Sequence, residues 1–428
     1  MLTPAPVKSA LDLTPELLEL TDIEVMNVRS NASGREIIIE VRSTKENVPC
    51  RECGKPTNSH GLSRKLTLRH LPILGKKTTV EIKPRRGICN DCSGSPTTTE
   101  QCSWYKINSK MTKPYEQHLL FELVNSTVAD VSAKEAIDYH AIADLINRYI
   151  ETEVDFSGIT ALGALGLDEI SLKKGYQDFV TLVTYRTEET VNILGVIKGR
   201  EKASVKAFLS TIPLRLHKTI RVVCCDLYEG YFNACKEVFK NKVPVVADRF
   251  HVRKLYRRSL VVLRKAELKR LKRKLSTAEY AELKPAIALL QKHKDYFTEE
   301  EKPVVEKLFS LSPKLKTAYQ FSRELSGIFD SYITPAEAKE KIATWINEVS
   351  RSSLKCFNKF IQTLLKYQTQ IIHYFKDRDT SGFVEGFNNK VKVLKRRCYG
   401  LANPIRLFQR LIIDTKGRER FAPGVVDF

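Results

Sequence analysis

Between residues 160 and 250 the chain alternates β-leaning and helical runs in an order that restricts it to a mixed α/β sheet. The β-leaning runs are Ala161–Asp168, Asp178–Tyr185, Thr190–Ile197, Thr219–Asp226 and Val243–Asp248. Ala203–Thr211 and Gly230–Phe239 have helical spacing. Three strands in succession, then helix, strand, helix and strand, predict a sheet opened by a meander and continued by crossover helices. The first run, Thr160-Ala-Leu-Gly-Ala-Leu-Gly-Leu-Asp, and the fourth, Ile220-Arg-Val-Val-Cys-Cys-Asp, both end in aspartate. A charge closing a buried apolar run belongs at the strand's carboxyl edge, where sites in such sheets form.

From Val252 to Lys376 the sequence is almost wholly helix-forming, with breaks near Ser276, Pro303, Pro313 and Pro335. This predicts an all-helical insertion after the fifth strand, with Trp345 and the aromatics from Phe357 to Phe375 in its core. A basic amphipathic helix follows, Glu385-Gly-Phe-Asn-Asn-Lys-Val-Lys-Val-Leu-Lys-Arg-Arg. Helical spacing puts Glu385, Asn388, Asn389, Lys392 and Arg396 on one face, and Phe383, Phe387, Val391, Leu394 and Cys398 on another. Two strand-end aspartates and a helix-borne glutamate can converge on a pair of divalent ions, as in-line phosphoryl transfer requires. Each carboxylate also has a plainer reading. Strand alternation sends Asp168 and Glu169 to opposite faces, so only one can be a ligand. Asp248, which also ends a strand, rivals Asp226, but it can instead hold Arg249 or His251. Glu385 stands in a first turn, where an acid complements the helix dipole.

Charge narrows the substrate. The chain carries 71 Lys+Arg against 50 Asp+Glu, a formal net charge of +21. Arg253 to Lys274 holds eleven basic residues and one acid, Glu267; Lys390 to Arg420 holds ten against Asp414 and Glu419. Such runs are either solvated helix faces or a seat for a polyanion, and their lack of compensation favours nucleic acid. Arg253, Lys254, Arg257, Arg258, Lys392, Lys395, Arg396 and Arg397 are the expected phosphate contacts. A hydrophobic content of 42% fits a folded, soluble chain. No apolar stretch approaches the ~20 residues of a membrane span. The N-terminus lacks a charged region followed by an apolar core, so no secretory signal is expected.

Residues 22–43 read as two strands around the turn Asn31-Ala-Ser-Gly34. Cys50-Arg-Glu-Cys53 and Cys89-Asn-Asp-Cys92 bracket a basic, β-leaning stretch. Two such knuckles supply four thiolates for one tetrahedral, structural Zn²⁺ in a zinc ribbon, with Cys102 a spare thiol or a substitute ligand. Three short helices follow in 115–150, with Ser132 as a cap, and resemble a helix-turn-helix unit.

The strand order resembles that of a ribonuclease-H-like core, in which the first and fourth strands lie adjacent. Over nearly its whole length the chain resembles bacterial insertion-sequence transposases of the ISL3 type. The resemblance rests on the twin Cys-x-x-Cys module, the helical unit and a set of short blocks: Gly166-Leu-Asp-Glu, Cys225-Asp-Leu-Tyr-Glu-Gly-Tyr, Val246-Ala-Asp-Arg-Phe-His-Val, Val384-Glu-Gly-Phe-Asn-Asn-Lys-Val-Lys and Arg396-Arg-Cys-Tyr-Gly. It implies a DDE transposase that cuts at the terminal inverted repeats of its own element and joins the freed 3′ ends to target DNA. Asp168, Asp226 and Glu385 occupy the positions of the triad and would hold two Mg²⁺ or Mn²⁺ ions; Asp248, His251, Asn388 and Asn389 would support them. The expected α/β multidomain layout is a β-rich zinc module (1–110), a helix-turn-helix-like unit (111–155), the first part of the catalytic core (156–252), an all-helical insertion (253–378), and a final core helix with a basic tail (379–428). A homodimer or larger assembly on double-stranded DNA, in the cytoplasm and at the nucleoid, is expected. The competing readings are a catalytically inactive, zinc-containing DNA-binding regulator and a ribonuclease-H-like nuclease that cuts without joining.

Overall fold

The computed structural model describes residues 15–172, 179–188, 190–290, 292 and 296–423. They group into two compact units, one of residues up to Ile150 with those from Ile412 on, the other Glu151–Leu411. No helix among the described residues is long and apolar enough to cross a membrane.

The first unit carries seven strands: β1 (Ile23–Ser30), β2 (Glu36–Ser43), β3 (Asn58–Leu62), β4 (Leu66–Ile73), β5 (Lys76–Ile82), β6 (Arg85–Ile88) and β7 (Thr97–Thr99). They form a four-stranded sheet in the order β1-β2-β5-β4 and a three-stranded antiparallel sheet in the order β3-β6-β7. Alternate residues of β2, β4 and β5 (Ile39, Val41, Leu68, Val80, Ile82) face a core closed by Leu18, Leu20, Cys102 and Trp104. Cys102 is therefore a buried apolar filler. The helices Lys113–Glu122, Val128–Glu135 and Tyr139–Tyr149 begin at Thr112, Thr127 and Asp138, whose side chains accept from first-turn N–H groups. Ser132, expected to cap a helix, instead lies within the second one, and its hydroxyl donates to Ile137 O at 2.6 Å. Thr127 precedes it at the extended position that a cap requires.

The second unit contains β8 (Gly163–Ser171), β9 (Phe179–Arg186), β10 (Val191–Lys198), β11 (Ile220–Cys225) and β12 (Val245–Ala247). Their order is β10-β9-β8-β11-β12, antiparallel across β10, β9 and β8 and parallel from β8 through β11 to β12. The first and fourth strands of the sequence pattern are thus neighbours. Lys202–Leu209 and Glu229–Phe239 are the crossover helices. Strand β8 runs three residues past Asp168, where the sequence pattern ended it. The reason is one-sided pairing: Asp168 to Ser171 pair with Leu182 to Phe179 of β9, while on the other edge β11 stops opposite Leu167.

Beyond β12 all regular structure among the described residues is helical, beginning with the long helix Arg249–Lys274. Ser276 and Thr334 open their helices with capping boxes, and Pro313 and Pro335 stand at first helical positions. Pro303, read as a break, falls within the helix Glu301–Leu311, near its start, where a missing N–H leaves no helical bond unmade. Trp345 is core as expected: its Nε1 donates to Phe321 O at 2.9 Å and its ring meets Phe357 and Phe360.

His70 on β4 is fully buried, with Nδ1 2.9 Å from Thr112 Oγ1. Burial lowers its pKa from 6.5 to about 4. Between those values the unfolded chain binds more protons, so stability is intact above pH 6.5 and falls as pH drops toward 4. From pH 7 to 5 the expected loss from this group is about 2 kcal/mol. Urea unfolding of the wild type and of His70→Gln at both pH values checks this; an equal pH slope in the variant refutes it.

Candidate active site

The parallel β8–β11 register pairs Leu167 with Cys225, so Asp168 and Asp226 come next on adjacent strands. Asp248 follows β12, its N–H donating to Cys225 O at 2.8 Å. Its carboxylate caps the long helix Arg249–Lys274 by accepting from Phe250 N–H at 2.9 Å. One turn along, His251 brings Nδ1 to 2.9 Å from Asp226 Oδ1 and 3.6 Å from Asp248 Oδ2. The Ser381 hydroxyl donates to Asp248 Oδ2 at the start of the helix Gly382–Arg397. Asp248, 6% exposed, is thus joined to β11, to the long helix and to the entry of the Glu385 helix.

That last helix crosses β8 at Gly166. A Cβ there would lie 2.2 Å from Val384 Cγ2, 2.7 Å from Thr184 Oγ1 and 3.0 Å from the Phe383 ring. The close approach lets the Asn388 amide donate to Asp168 Oδ2, while the Glu169 N–H donates to Asp168 Oδ1 at 2.7 Å. Asn388 is only 8% exposed, so the face assignment changes. Val384, Phe387, Asn388, Val391 and Leu394 are buried, whereas Glu385, Asn389, Lys392 and Arg396 are exposed. Phe383 and Cys398 are half-buried. A polar residue can take the inner face here because Asp168 waits as its partner. Glu169 pairs instead with Arg200 at 2.7 Å.

Asp168, Asp226, Asp248, His251, Glu385 and Asn388 line one cleft of about 1020 Å³, together with Arg253, Lys254, Arg258 and Lys392. Asn389, Arg257, Lys395, Arg396 and Arg397 are not among its lining residues. Lys395 donates to Ser171 O at 2.6 Å, and Arg257 is half-buried. Ser381 carries no signal in the sequence beyond a serine just ahead of a helix.

The carboxylates of the cleft perturb one another and the histidine between them. Burial and the neighbouring charge of Asp226 push Asp168 up to about 6, against the Asn388 hydrogen bond. The carboxylates of Asp226 and Asp248 raise His251 to about 10, so it is an imidazolium at neutral pH. Burial alone would raise Asp248, but the neighbouring His251 and donation from Ser381 and the Phe250 N–H outweigh it and hold the carboxylate below its usual range. Asn388 Oδ1 is buried without a hydrogen-bond partner, an acceptor that a cation beside Asp168 would satisfy. Asp226, Asp248 and His251 gather their ligand atoms within 4.8 Å; Asp168, Asp226 and Glu385 share the cleft at wider spacing.

The first unit holds a second metal-capable cluster, Cys50, Cys53, Cys89 and Cys92. The Sγ–Sγ distances are 4.0 Å for Cys50–Cys92 and 3.7 Å for Cys53–Cys89. A ZnS₄ tetrahedron with ~2.3 Å bonds has edges of about 3.8 Å, so the four sulfurs fit a zinc ion. Backbone N–H groups of Cys53 and Glu52 lower Cys50 to about 7, while Cys92, hydrogen-bonded first to Cys53, is pushed up to about 12. Four thiolates need a cation to coexist at neutral pH.

A transposase family profile matches residues 165–411. Over 387 residues the chain is 24% identical to the transposase for insertion sequence element IS1001 of Bordetella parapertussis, spanning 90% of this chain and 93% of that one. Over 354 residues it is 19% identical to the transposase for insertion sequence element IS1557 of Mycobacterium tuberculosis, spanning 78% of each.

Gly166→Ala should destabilise the protein by about 1–3 kcal/mol through overpacking against Val384. An unchanged urea midpoint would mean that the helix yields freely. Elemental analysis should find one zinc per chain, lost in Cys89→Ser and retained in Cys102→Ser; equal zinc in both variants would exclude the four-cysteine site.

Proposed function

The chain belongs to the ISL3-type insertion-sequence transposase family, and on that premise we propose that it binds the terminal inverted repeats of its own element, cuts there and joins the freed 3′ ends to target DNA. The observation that carries this reading is the β8–β11 register, which sets Asp168 beside Asp226 in a cleft that also holds Glu385 and the basic residues Arg253, Lys254, Arg258 and Lys392. The second unit is read as a ribonuclease-H-like core with a helical insertion, the arrangement of a DDE enzyme.

Asp168, Asp226 and Glu385 would hold Mg²⁺ or Mn²⁺. When bound, such a pair activates water or a 3′-hydroxyl and stabilises the leaving oxygen of an in-line displacement. Asn388 fixes the Asp168 carboxylate from one side, and its unpartnered Oδ1 would be a further acceptor for the ion. His251 holds Asp226, and Asp248, tied to Ser381, sets the entry of the helix that carries Glu385. Arg253, Lys254, Arg258 and Lys392 would take the phosphates around the scissile bond. Arg257, Lys395, Arg396 and Arg397, outside the cleft, would hold DNA further from it.

In the first unit we read the four-cysteine module as a zinc ribbon and the three capped helices as a helix-turn-helix-like reader of the repeat. Two ends must be brought together, so the active species is a dimer or larger assembly, working on cytoplasmic, nucleoid DNA.

The test is Mg²⁺- or Mn²⁺-dependent cleavage and strand transfer on the DNA flanking the gene. Asp168→Asn, Asp226→Asn and Glu385→Gln should each abolish cutting, by at least about a thousandfold, and leave end binding intact. Cutting by Glu385→Gln would remove that residue from the triad. Cutting without joining by the wild type would make the protein a nuclease, and binding without cutting a regulator.

A further inference from the structure

Phe250 has no place in the chemistry so far described, yet it lines the same cleft. It is the second residue of the helix Arg249–Lys274 and is 65% exposed, whereas Tyr256 on that helix is buried. Its ring stands beside His251, centroids 5.7 Å apart, and His251 meets Asp226 at 2.9 Å. An apolar ring this exposed among charged groups gains little from packing within the protein. Arg253, Lys254 and Arg258 follow at spacings of three, four and eight, so they rise along the same side of the helix and line the cleft with it. The Nε of Arg253 is buried without a hydrogen-bond partner. An aromatic face followed by a row of cations suits one strand of nucleic acid, with a base on the ring and phosphates on the cations.

In a paired duplex both faces of each base are covered by its neighbours. A ring fixed beside the carboxylates can meet a base face only if a base next to the scissile phosphate leaves the stack. We propose that Phe250 is the stacking platform for one unpaired nucleobase flanking the scissile phosphate, with Arg253, Lys254 and Arg258 holding the phosphates of that strand. This rests on the transposase reading of the cleft.

The experiment compares the full-length wild type with Phe250→Ala, Phe250→Leu and Phe250→Trp on two kinds of element end. One is fully paired; the other carries a single abasic site, placed in turn on either side of the scissile phosphate. Binding and cleavage are both measured. On paired ends Phe250→Ala should cut about tenfold more slowly, the loss of one base–aromatic stack. Phe250→Leu, which keeps bulk without a π-face, should stay near the alanine level, and Phe250→Trp should restore cutting. On the end whose abasic site removes the stacked base, wild type and Phe250→Ala should converge to within about twofold, since neither has a base to stack. The same loss on paired and on both abasic ends, or full activity in Phe250→Leu, overturns the proposal and leaves the transposase reading standing. A wild type that cuts neither kind of end overturns the transposase reading, and the platform with it.

Discussion

The second unit depends on a close approach. The helix Gly382–Arg397 can lie against β8 because Gly166 offers no side chain where Val384, Phe383 and Thr184 converge. That contact lets Asn388 reach Asp168 and places Glu385 on the rim of the same cleft. Close packing makes the arrangement nearly all-or-none, since interiors of this density do not absorb a methyl group without displacement.

A second set of constraints is polar. Asp248 caps a 26-residue helix, takes the Ser381 hydroxyl and faces His251, which also meets Asp226. One buried carboxylate therefore links the long helix to the entry of the Glu385 helix, while its backbone N–H holds β11. Its burial is tolerated because two donors and the nearby His251 surround it, and the same groups keep it charged. Asp168 shows the opposite balance: burial and the neighbouring Asp226 carboxylate outweigh its two donors, and its affinity for a proton rises. The four cysteines pose a like problem in the first unit, where four sulfurs lie so close that all could be thiolates only around a cation.

Much of this was legible in the chain. Short β-leaning apolar runs located the five strands of the second unit within a few residues, and the aspartates Asp168 and Asp226 that close two of those runs lie in the same cleft. The pairs Cys50/Cys53 and Cys89/Cys92 were readable because each knuckle is a local turn. Asn388 was misplaced because helical periodicity sorts residues by polarity, and an asparagine counts as outward until a buried partner is known. Ser132 is a similar case: serine, threonine and aspartate cap equally well, and it is Thr127 and Asp138 that stand just ahead of the helices with side chains accepting from first-turn N–H groups. The extension of β8 past Asp168 was invisible because it reflects which of two edges still had a partner.

The sequence by itself determined the order of strands and helices, the metal-capable residue types and the net attraction to a polyanion, since these follow from spacings of two to four residues and from summed charge. Only the tertiary structure decided which acidic groups meet. The contact of Asp248 with Ser381, 133 residues away, and of Asp168 with Asn388, 220 residues away, arises from packing between segments that no local period relates. Such contacts depend on shape at a particular crossing, here the missing side chain of Gly166, and a one-dimensional pattern carries the residue without the neighbour that gives it meaning.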